Sequence, residues 1–327
     1  MLNIFIISAE HHLLQVEQAI INFNIEEENV FYCFIRVNKS SWIERIIEHH
    51  RIINFSISDS WVFTDLLRND NRNKLFISKL ENIRSKHKVS RILISQYSSD
   101  YSLLAVNLLN AENIILMDEG TASFGVCLAR LKKNNLTFFK LKVKSFFYNV
   151  NLSFPERITY FTQYNLKINE NDSIEKYTFK KIPNKTNLID GNIGLLGSSI
   201  VEVGLVSLKY YMQIINQFKI LNKENDIYYY AHRKEDSDKL GEISKLGIMV
   251  VQNEMPFEFY YRNTASCPKI LFSFFSPILL NLKSQFEVTP KAVIIQFNLD
   301  ELKFNRQIIT EIYNDYRKRK DIEFVNI

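Results

Sequence analysis

Two adjacent carboxylates, Asp118 and Glu119, follow the apolar run 114–117 and precede Gly120. A short continuous apolar run is typical of a buried parallel strand. In open α/β sheets, ligands bind beyond the carboxyl ends of such strands, where an acid can serve as a general base. Asp, Glu and Gly are also ordinary turn residues, so a strand that simply ends in a turn is the plainer interpretation. The residues at the other predicted strand ends are needed to choose between a general base in a ligand cleft and an ordinary turn.

A second predicted strand ends in Gly197, Ser198 and Ser199. Glycine lets the backbone approach a ligand closely. The serines are expected to precede a helix over 205–218, where free amides and the helix dipole favour phosphate. A single glycine falls well short of a dinucleotide-binding fingerprint, so the segment is a candidate phosphate contact that needs support from elsewhere.

His232 follows another predicted strand and is followed by two cations, Arg233 and Lys234. A single histidine at such a place is usually structural, but the neighbouring cations suit an anionic partner such as phosphate. The other histidines show no zinc pattern such as His-Glu-x-x-His, and the three cysteines show no metal-ligand spacing. His232 is therefore a candidate for phosphate contact rather than for metal binding.

Glu258, Ser273 and Ser276 complete the candidate residues of the second half. Pro256 suits the first position of a helix, which places Glu258 in the first turn. Capping and dipole effects explain an acid there, and the functional alternative is a carboxylate that binds two ribose hydroxyls. Ser276 before Pro277 is typical of an N-cap, although a hydroxyl with free amides at a helix start also suits phosphate.

The elements that would position these residues alternate between strands and helices with short connections. Strands are predicted at 4–8, 30–35, 91–95, 114–118, 192–196, 227–231, 248–252, 269–273 and 292–297. Helices are predicted at 12–23, 41–50, 65–86, 101–109, 205–218, 236–246, 257–263, 277–282 and 300–319. Such alternation indicates βαβ units and a mainly parallel sheet in each half.

Residues 165–187 interrupt this alternation, because they are rich in Asn, Lys and Glu and show little periodicity. We predict an N-terminal domain at 1–164, a linker at 165–187 and a C-terminal domain at 188–327. The expected fold class is α/β of the GT-B type, with two Rossmann-like domains facing across a cleft. GT-B glycosyltransferases, some epimerases and periplasmic binding proteins share that architecture, so fold alone does not choose a function.

The composition is that of a globular protein, since 46% of the 327 residues are hydrophobic and 24% are charged. No apolar stretch approaches the roughly 18–20 residues of a membrane span, and the N-terminus lacks the pattern of a signal peptide. We expect a cytoplasmic protein, with peripheral contact to the inner face of the membrane left open.

The net charge of +5 is spread along the chain apart from one basic run with interleaved aromatic residues. The run consists of Arg130, Lys132, Lys133, Lys140, Lys142 and Lys144. It could contact a membrane surface or an anionic acceptor, although a solvated edge is the commoner explanation. Charge this dispersed does not indicate a nucleic-acid partner.

The order of the motifs resembles the bacterial GT-B sialyltransferases of lipooligosaccharide, O-antigen and capsule synthesis, to which the polysialyltransferases are related. That family has an acidic-acidic-Gly motif in the first domain, followed by His-Pro and Ser-Ser/Thr motifs in the second. Residues 118–120 match the first motif. After His232 the family's proline is replaced by Arg233, and in 273–277 the second hydroxyl is lost to proline.

This resemblance implies an inverting sialyltransferase that uses CMP-sialic acid, or a related CMP-nonulosonic acid, and needs no metal cofactor. Glu119, by its motif position, or else Asp118 would take the proton from the acceptor hydroxyl. His232 would donate a proton or a hydrogen bond to the departing phosphate. The other donor contacts would come from Gly197, Ser198, Ser199, Arg233, Glu258, Ser273 and Ser276.

Two alternatives stay open beside this one. The first is a GT-B transferase that uses a UDP- or GDP-sugar, and the second is a non-catalytic module that binds nucleotide or glycan. The expected acceptor is a cell-surface glycan, lipid-linked or free.

Overall fold

The computed structural model describes residues 2–7, 12–26, 30–35, 60–61, 71–118, 120–132, 135–253 and 255–327. The chain divides into two compact units, Met1–Thr178 and Phe179–Ile327. The boundary between them falls inside the segment 165–187 that was predicted as a linker. The predicted helix at 41–50 and the start of the one at 65–86 lie outside the described residues.

In the first unit, the described strands form one parallel sheet. They are β1 (Leu2–Ile7), β2 (Val30–Ile35), β3 (Ser60–Trp61), β4 (Val89–Ile94), β5 (Asn113–Met117), β6 (Thr159–Thr162) and β7 (Ser173–Lys176). Their order is β3-β2-β1-β4-β5-β6-β7. The described helices are α1 (His12–Asn22), α2 (Asn71–Lys86), α3 (Asp100–Leu109), α4 (Ala122–Lys132) and α5 (Asn135–Tyr148). The order of strands reverses between β1 and β4, which makes that gap the topological switch point of this sheet.

The second unit has the same organisation. Its strands are β8 (Asn187–Leu196), β9 (Asp226–Ala231), β10 (Met249–Gln252), β11 (Ser266–Ser273), β12 (Lys291–Gln296) and β13 (Ile322–Asn326). They pair in parallel in the order β10-β9-β8-β11-β12-β13, with the switch point between β8 and β11. The helices are α6 (Leu208–Leu221), α7 (Ser237–Lys245), α8 (Phe257–Asn263), α9 (Ile278–Gln285) and α10 (Arg306–Arg317).

The central strands are buried, as their apolar runs predict. Residues 4–7 of β1, 92–94 of β4 and 292–295 of β12 are all buried. Strands of a parallel sheet need apolar side chains on both faces, so their sequences are continuous rather than alternating. The prediction of two α/β units with parallel sheets is confirmed.

Several elements were not predicted from the sequence. The strand β7 lies within the segment interpreted as a linker, and most of its side chains are exposed. The strands β3, β6 and β13 and the helices α4 and α5 were missed as well. Among the described residues, no helix combines the length and the apolar character needed to cross a lipid bilayer.

Candidate functional site

The carboxylate of Asp118 lies directly after β5, where it is buried and accepts hydrogen bonds from three neighbouring segments. Ser123 Oγ, in the first turn of α4, donates to Oδ1 at 2.8 Å. The backbone N–H of Gln163 donates to Oδ2 at 3.0 Å, and the Tyr177 hydroxyl donates to the same oxygen at 3.4 Å. The Thr162 hydroxyl is a further donor. Asp118 therefore ties together the ends of β5, β6 and β7.

Burial raises the pKa of Asp118 to about 6, because desolvation outweighs the hydrogen bonds that favour the charged form. Burial also raises the pKa of Tyr177 well above its usual value, and the charge of Asp118 adds to that effect. Tyr177 is therefore a permanent donor. An acid that titrates near pH 6 is well placed to exchange a proton close to neutral pH.

The turn after the two acids depends on Gly120, whose φ of 60° lies in the left-handed region that favours glycine. Glu119, the second acid of the motif, lies outside the described residues. The helix α4 starts immediately after this turn, so the position of α4 fixes the direction of the chain after Gly120.

Arg130 anchors the far end of α4. Its Nε and one terminal nitrogen donate to the two carboxylate oxygens of Asp172 at 2.7 and 2.6 Å, and both side chains are buried. Arg130 also donates to the Tyr97 hydroxyl and to the carbonyl of Pro155. A bidentate pair of this kind fixes geometry. Arg130, the first member of the basic run, therefore has a structural role.

In the second unit, the candidate loops follow three neighbouring strands. The strands β9, β8 and β11 are adjacent in that order, and all are parallel. In that order, the carboxyl ends of β9, β8 and β11 lead into the segments 232–233, 197–199 and 273–276. The sheet thus brings these three candidate segments to one edge, around the switch point between β8 and β11.

Gly197 is required by packing within this edge. A Cβ atom at this position would lie 2.3 Å from Oε2 of Glu235 and 2.9 Å from the side chain of Tyr229. Its N–H donates to the carbonyl of Tyr230 at 2.8 Å. The glycine is therefore explained by its protein neighbours, and a ligand contact at this residue stays a prediction.

Ser198 and Ser199 precede a long helix, as predicted, but a separate turn lies between them and that helix. The helix predicted over 205–218 begins at Leu208, with the Ser207 hydroxyl as its cap. A single turn in front of it is closed at Gly204, whose φ is 74°. The N–H groups of Gly204 and the next residue donate backwards in the Schellman pattern, which ends the turn. Phosphate contact by the two serines stays a prediction.

A buried ion pair between Glu235 and Lys239 supports the loops after β8 and β9. Lys239 Nζ lies 2.7 Å from Oε1 of Glu235 and donates to the carbonyl of Ser198 at 3.0 Å. Oε2 of Glu235 accepts the N–H of His232 at 2.6 Å, and Oε1 accepts the Tyr229 hydroxyl. One ion pair therefore joins the Ser198 loop to the His232 loop.

We expect Gly197→Ala to lower the free energy of unfolding of the second unit by about 1–3 kcal/mol, because the added methyl group would displace Glu235. Both tryptophans, Trp42 and Trp61, belong to the first unit by position. Tryptophan fluorescence therefore reports the first unit, whereas far-UV circular dichroism reports both. Urea unfolding of Gly197→Ala should show the lower stability when followed by circular dichroism but not when followed by tryptophan fluorescence.

Gly241→Ala in α7 is the matched control. A Cβ atom at Gly241 meets nothing within 4 Å. This substitution should instead stabilise the second unit by roughly 0.5–1 kcal/mol, through the higher helix propensity of alanine. Equal effects of the two substitutions would contradict the tight packing at Gly197.

His232 has a defined tautomer when it is neutral. Its Nδ1 accepts the backbone N–H of Lys234 at 3.2 Å, which leaves the proton on Nε2. Burial lowers the pKa of His232, and the cations Arg233 and Lys234 lower it further. His232 is therefore a neutral imidazole near pH 7, suited to hydrogen-bond donation through Nε2 rather than to proton donation. Arg233 itself is exposed.

Glu258 lies in the first turn of α8, as predicted. It is buried, and its Oε1 accepts a hydrogen bond from Asn281 Nδ2 at 2.8 Å. Burial raises the pKa of Glu258, and the bond from Asn281 opposes that rise. Glu258 thus connects α8 to α9, and its contact with a ribose stays a prediction.

Ser273 and Ser276 together form the turn between β11 and α9. Ser273 Oγ accepts the N–H of Ser276 at 3.0 Å, and Ser276 Oγ accepts the N–H of Ile278 at 3.3 Å. The second contact is the one that an N-cap makes. The helix begins at Ile278, one residue later than predicted, because Pro277 occupies the cap position. Phosphate binding by these hydroxyls stays a prediction.

Sequence reasoning missed the residues that hold the candidate site in place. They are Ser123, Tyr177, Glu235 and Lys239. Glu235 and Lys239 have the i,i+4 spacing of a helical ion pair, so this pair could have been recognised in the sequence. In the described part of the chain, no group of three His, Cys, Asp or Glu residues is arranged to hold a metal ion.

No protein-family model matches the chain, and no curated protein matches it in sequence. Solved structures match it by fold. UGT2 of Phytolacca americana, in complex with UDP-2fluoro-glucose and pterostilbene, is 10% identical with a TM-score of 0.53, covering 100% of this chain and 85% of that one. UDP-GlcNAc 2-epimerase of Methanocaldococcus jannaschii, in complex with UDP-GlcNAc and UDP, is 11% identical with a TM-score of 0.51, covering 100% and 89%.

A third structure, MnaA of S. aureus with UDP, is 10% identical with a TM-score of 0.51, covering 98% of this chain and 89% of that one. Likeness at this level of identity concerns the fold. The fold class is α/β of the GT-B type, with two units that each contain a parallel sheet.

Proposed function

We propose that this chain is a glycosyltransferase that moves a sugar from a nucleotide-activated donor to a hydroxyl group of an acceptor glycan. The observation that carries the proposal is the buried carboxylate of Asp118, directly after an interior strand of the parallel sheet. Acids at strand ends of open α/β sheets are placed where ligands bind. The GT-B type fold and the polar loops of the second unit support the proposal.

In this proposal Glu119 is the general base, and the neighbouring Asp118 has a positioning role. Both carboxylate oxygens of Asp118 already accept hydrogen bonds, from Ser123 and Gln163 among others, which suits a positioning role. Glu119 would take the proton while the acceptor oxygen bonds to the anomeric carbon. The bond from that carbon to the donor phosphate breaks at the same time, which inverts the centre.

The donor phosphate would bind at the edge formed by the ends of β8, β9 and β11. His232 would donate its Nε2–H to the leaving phosphate and remain neutral, and the exposed Arg233 would offset the developing negative charge. Groups that are already oriented towards developing charge usually make the largest contribution to catalysis. The pair Glu235–Lys239 would keep the His232 loop in place during the reaction.

Two donors fit this proposal, and a different observation favours each. The order of the motifs at 118–120, His232 and 273–276 favours CMP-sialic acid or another CMP-nonulosonic acid. The UDP and UDP-sugars bound to structures of the same fold favour a UDP-sugar.

A thermal-shift experiment on the full chain with CMP, UDP and GDP distinguishes these donors. A nucleotide at about 100 times its dissociation constant should stabilise the native state by about 2.7 kcal/mol. A shift with CMP alone would favour the nonulosonic acid donor, and a shift with UDP alone would favour the UDP-sugar. The absence of a shift with all three would contradict a nucleotide-sugar enzyme. Binding without release of nucleotide from CMP-Neu5Ac or UDP-GlcNAc would instead support a non-catalytic module.

A further inference from the structure

The helix α5 turns apolar side chains towards solvent. Phe139 is 64% exposed and Phe146 is 83% exposed, and Val143 between them is also exposed. These three residues are spaced i, i+4 and i+7, so they form one stripe along the helix. Leu141 lies on the opposite side of the helix and is buried. We call the stripe and the lysines beside it the α5 face.

The stretch of sequence that contains the α5 face is basic. Residues 120–155 contain six basic residues and not a single Asp or Glu. Lys140 and Lys142 flank the apolar stripe and are exposed, as is Lys132 at the end of α4. Lys144, by contrast, forms an ion pair with Asp100 at 2.7 Å on the inward side of the helix. The outward side therefore combines aromatic and aliphatic groups with positive charge.

We propose that the α5 face docks on the surface of a membrane that contains anionic lipid. An interfacial helix places its apolar side chains at the boundary of headgroups and acyl chains, while lysines beside them reach the phosphates. The proposal does not depend on the proposed function, although it would bring the unit that carries Asp118 close to a lipid-linked acceptor.

Charge complementarity favours a membrane over a second copy of the chain. A two-fold symmetric contact would place the same patch against itself, so Lys140 and Lys142 would face the lysines of the other copy. An anionic lipid surface attracts the same lysines instead. Each lysine close to such a surface contributes about 1 kcal/mol, which corresponds to about a fivefold gain in binding.

The test is co-flotation of the full chain with lipid vesicles. One set contains phosphatidylcholine alone, and in the other phosphatidylglycerol replaces about a third of it, which supplies the negative surface potential. The wild type should float with the anionic vesicles, and binding should weaken as salt is raised because exposed charges are screened. Phe139→Ser combined with Phe146→Ser should reduce binding about tenfold or more, since each loses most of its apolar contact.

Charge variants and matched controls make the test specific. Lys140→Glu combined with Lys142→Glu should also lower binding at least tenfold, and it keeps the proposal testable if the phenylalanine variant fails to fold. The control pairs are Ile220→Ser with Leu221→Ser, at positions 60% and 68% exposed on α6, and Lys180→Glu with Lys181→Glu. Both control pairs should float like the wild type.

Three results would overturn the proposal. The wild type could fail to float with anionic vesicles, or the two α5 variants could float as well as the wild type. Sedimentation could also show a dimer that the α5 variants convert to a monomer, which would assign the α5 face to a second copy of the chain.

Discussion

Lys239→Met is expected to destabilise the second unit by about 3–5 kcal/mol, because it would leave a buried carboxylate without its counter-charge. Lys239 Nζ lies 2.7 Å from Glu235 and 3.0 Å from Glu202, and it sits 4.6 Å from the ring centre of Tyr211. Methionine fills a similar volume and adapts to irregular cavities. The loss would therefore reflect the charge rather than the packing.

The destabilisation by Lys239→Met should depend on pH. Burial already raises the pKa of Glu235, and Lys239 opposes that rise. Without Lys239 the folded-state pKa would rise further above the unfolded value, so stability would be lost as pH increases through the folded-state pKa. Urea unfolding by circular dichroism should show a larger loss at about pH 8 than at about pH 5. Adding Glu235→Gln to Lys239→Met should recover part of the stability lost at the higher pH.

Lys245→Met is the matched control for this prediction. Lys245 also pairs with an acid on α7, at 2.6 Å from Glu242, but both side chains are largely exposed. Exposed pairs contribute little to stability, so no measurable change is expected. If Lys239→Met behaved like Lys245→Met at both pH values, the buried pair would not hold the two loops together.

Most of the parallel strands of both units could be predicted because a strand buried on two faces requires a continuous apolar run. The predicted strand at 30–35 and the predicted helix at 257–263 coincide with β2 and α8. Edge strands escape this logic, since β7 pairs on one side only and carries exposed side chains. The helix α5 was not predicted either, because it has apolar residues on both its inner and outer sides. Its sequence therefore lacks the helical periodicity of a single apolar face.

The candidate site could be predicted only in part, since its support comes from residues distant in sequence. The position of Asp118 follows from one apolar run. Its partners Gln163 and Tyr177 lie 45 and 59 positions further along the chain, and only the order of β5, β6 and β7 brings them to it. In the same way, Gly197 suggests a ligand contact until Glu235 is seen to pack against its Cα.

Glu119→Gln is expected to lower turnover by about 10²- to 10⁴-fold, which is the usual contribution of a general base. Glutamine has nearly the shape of glutamate but cannot accept the proton of the acceptor hydroxyl. Donor binding should be unchanged, because the proposed nucleotide contacts lie in the second unit. The measurements are turnover with whichever donor proves active and the thermal shift with the matching nucleotide.

Asp118→Asn decides which of the two acids is the base. A base must be deprotonated, so a reaction that uses Asp118 would slow as pH falls through about 6. This acidic limb of the pH–rate profile would vanish in Asp118→Asn. If Glu119 is the base, the acidic limb persists in Asp118→Asn and vanishes in Glu119→Gln. The asparagine would lower the rate only by loosening the turn, since its NH2 group would replace one of the two oxygens that accept from Ser123 and Gln163.

His232→Ala tests the proposed phosphate contact separately from the proposed base. Because His232 is a neutral hydrogen-bond donor in this proposal, its removal should lower the rate and leave the acidic limb where it is. If the acidic limb of the pH–rate profile shifted in His232→Ala, the imidazole would instead transfer a proton in the reaction. Turnover unaffected by Asp118→Asn, Glu119→Gln and His232→Ala alike would place the chemistry elsewhere in the chain.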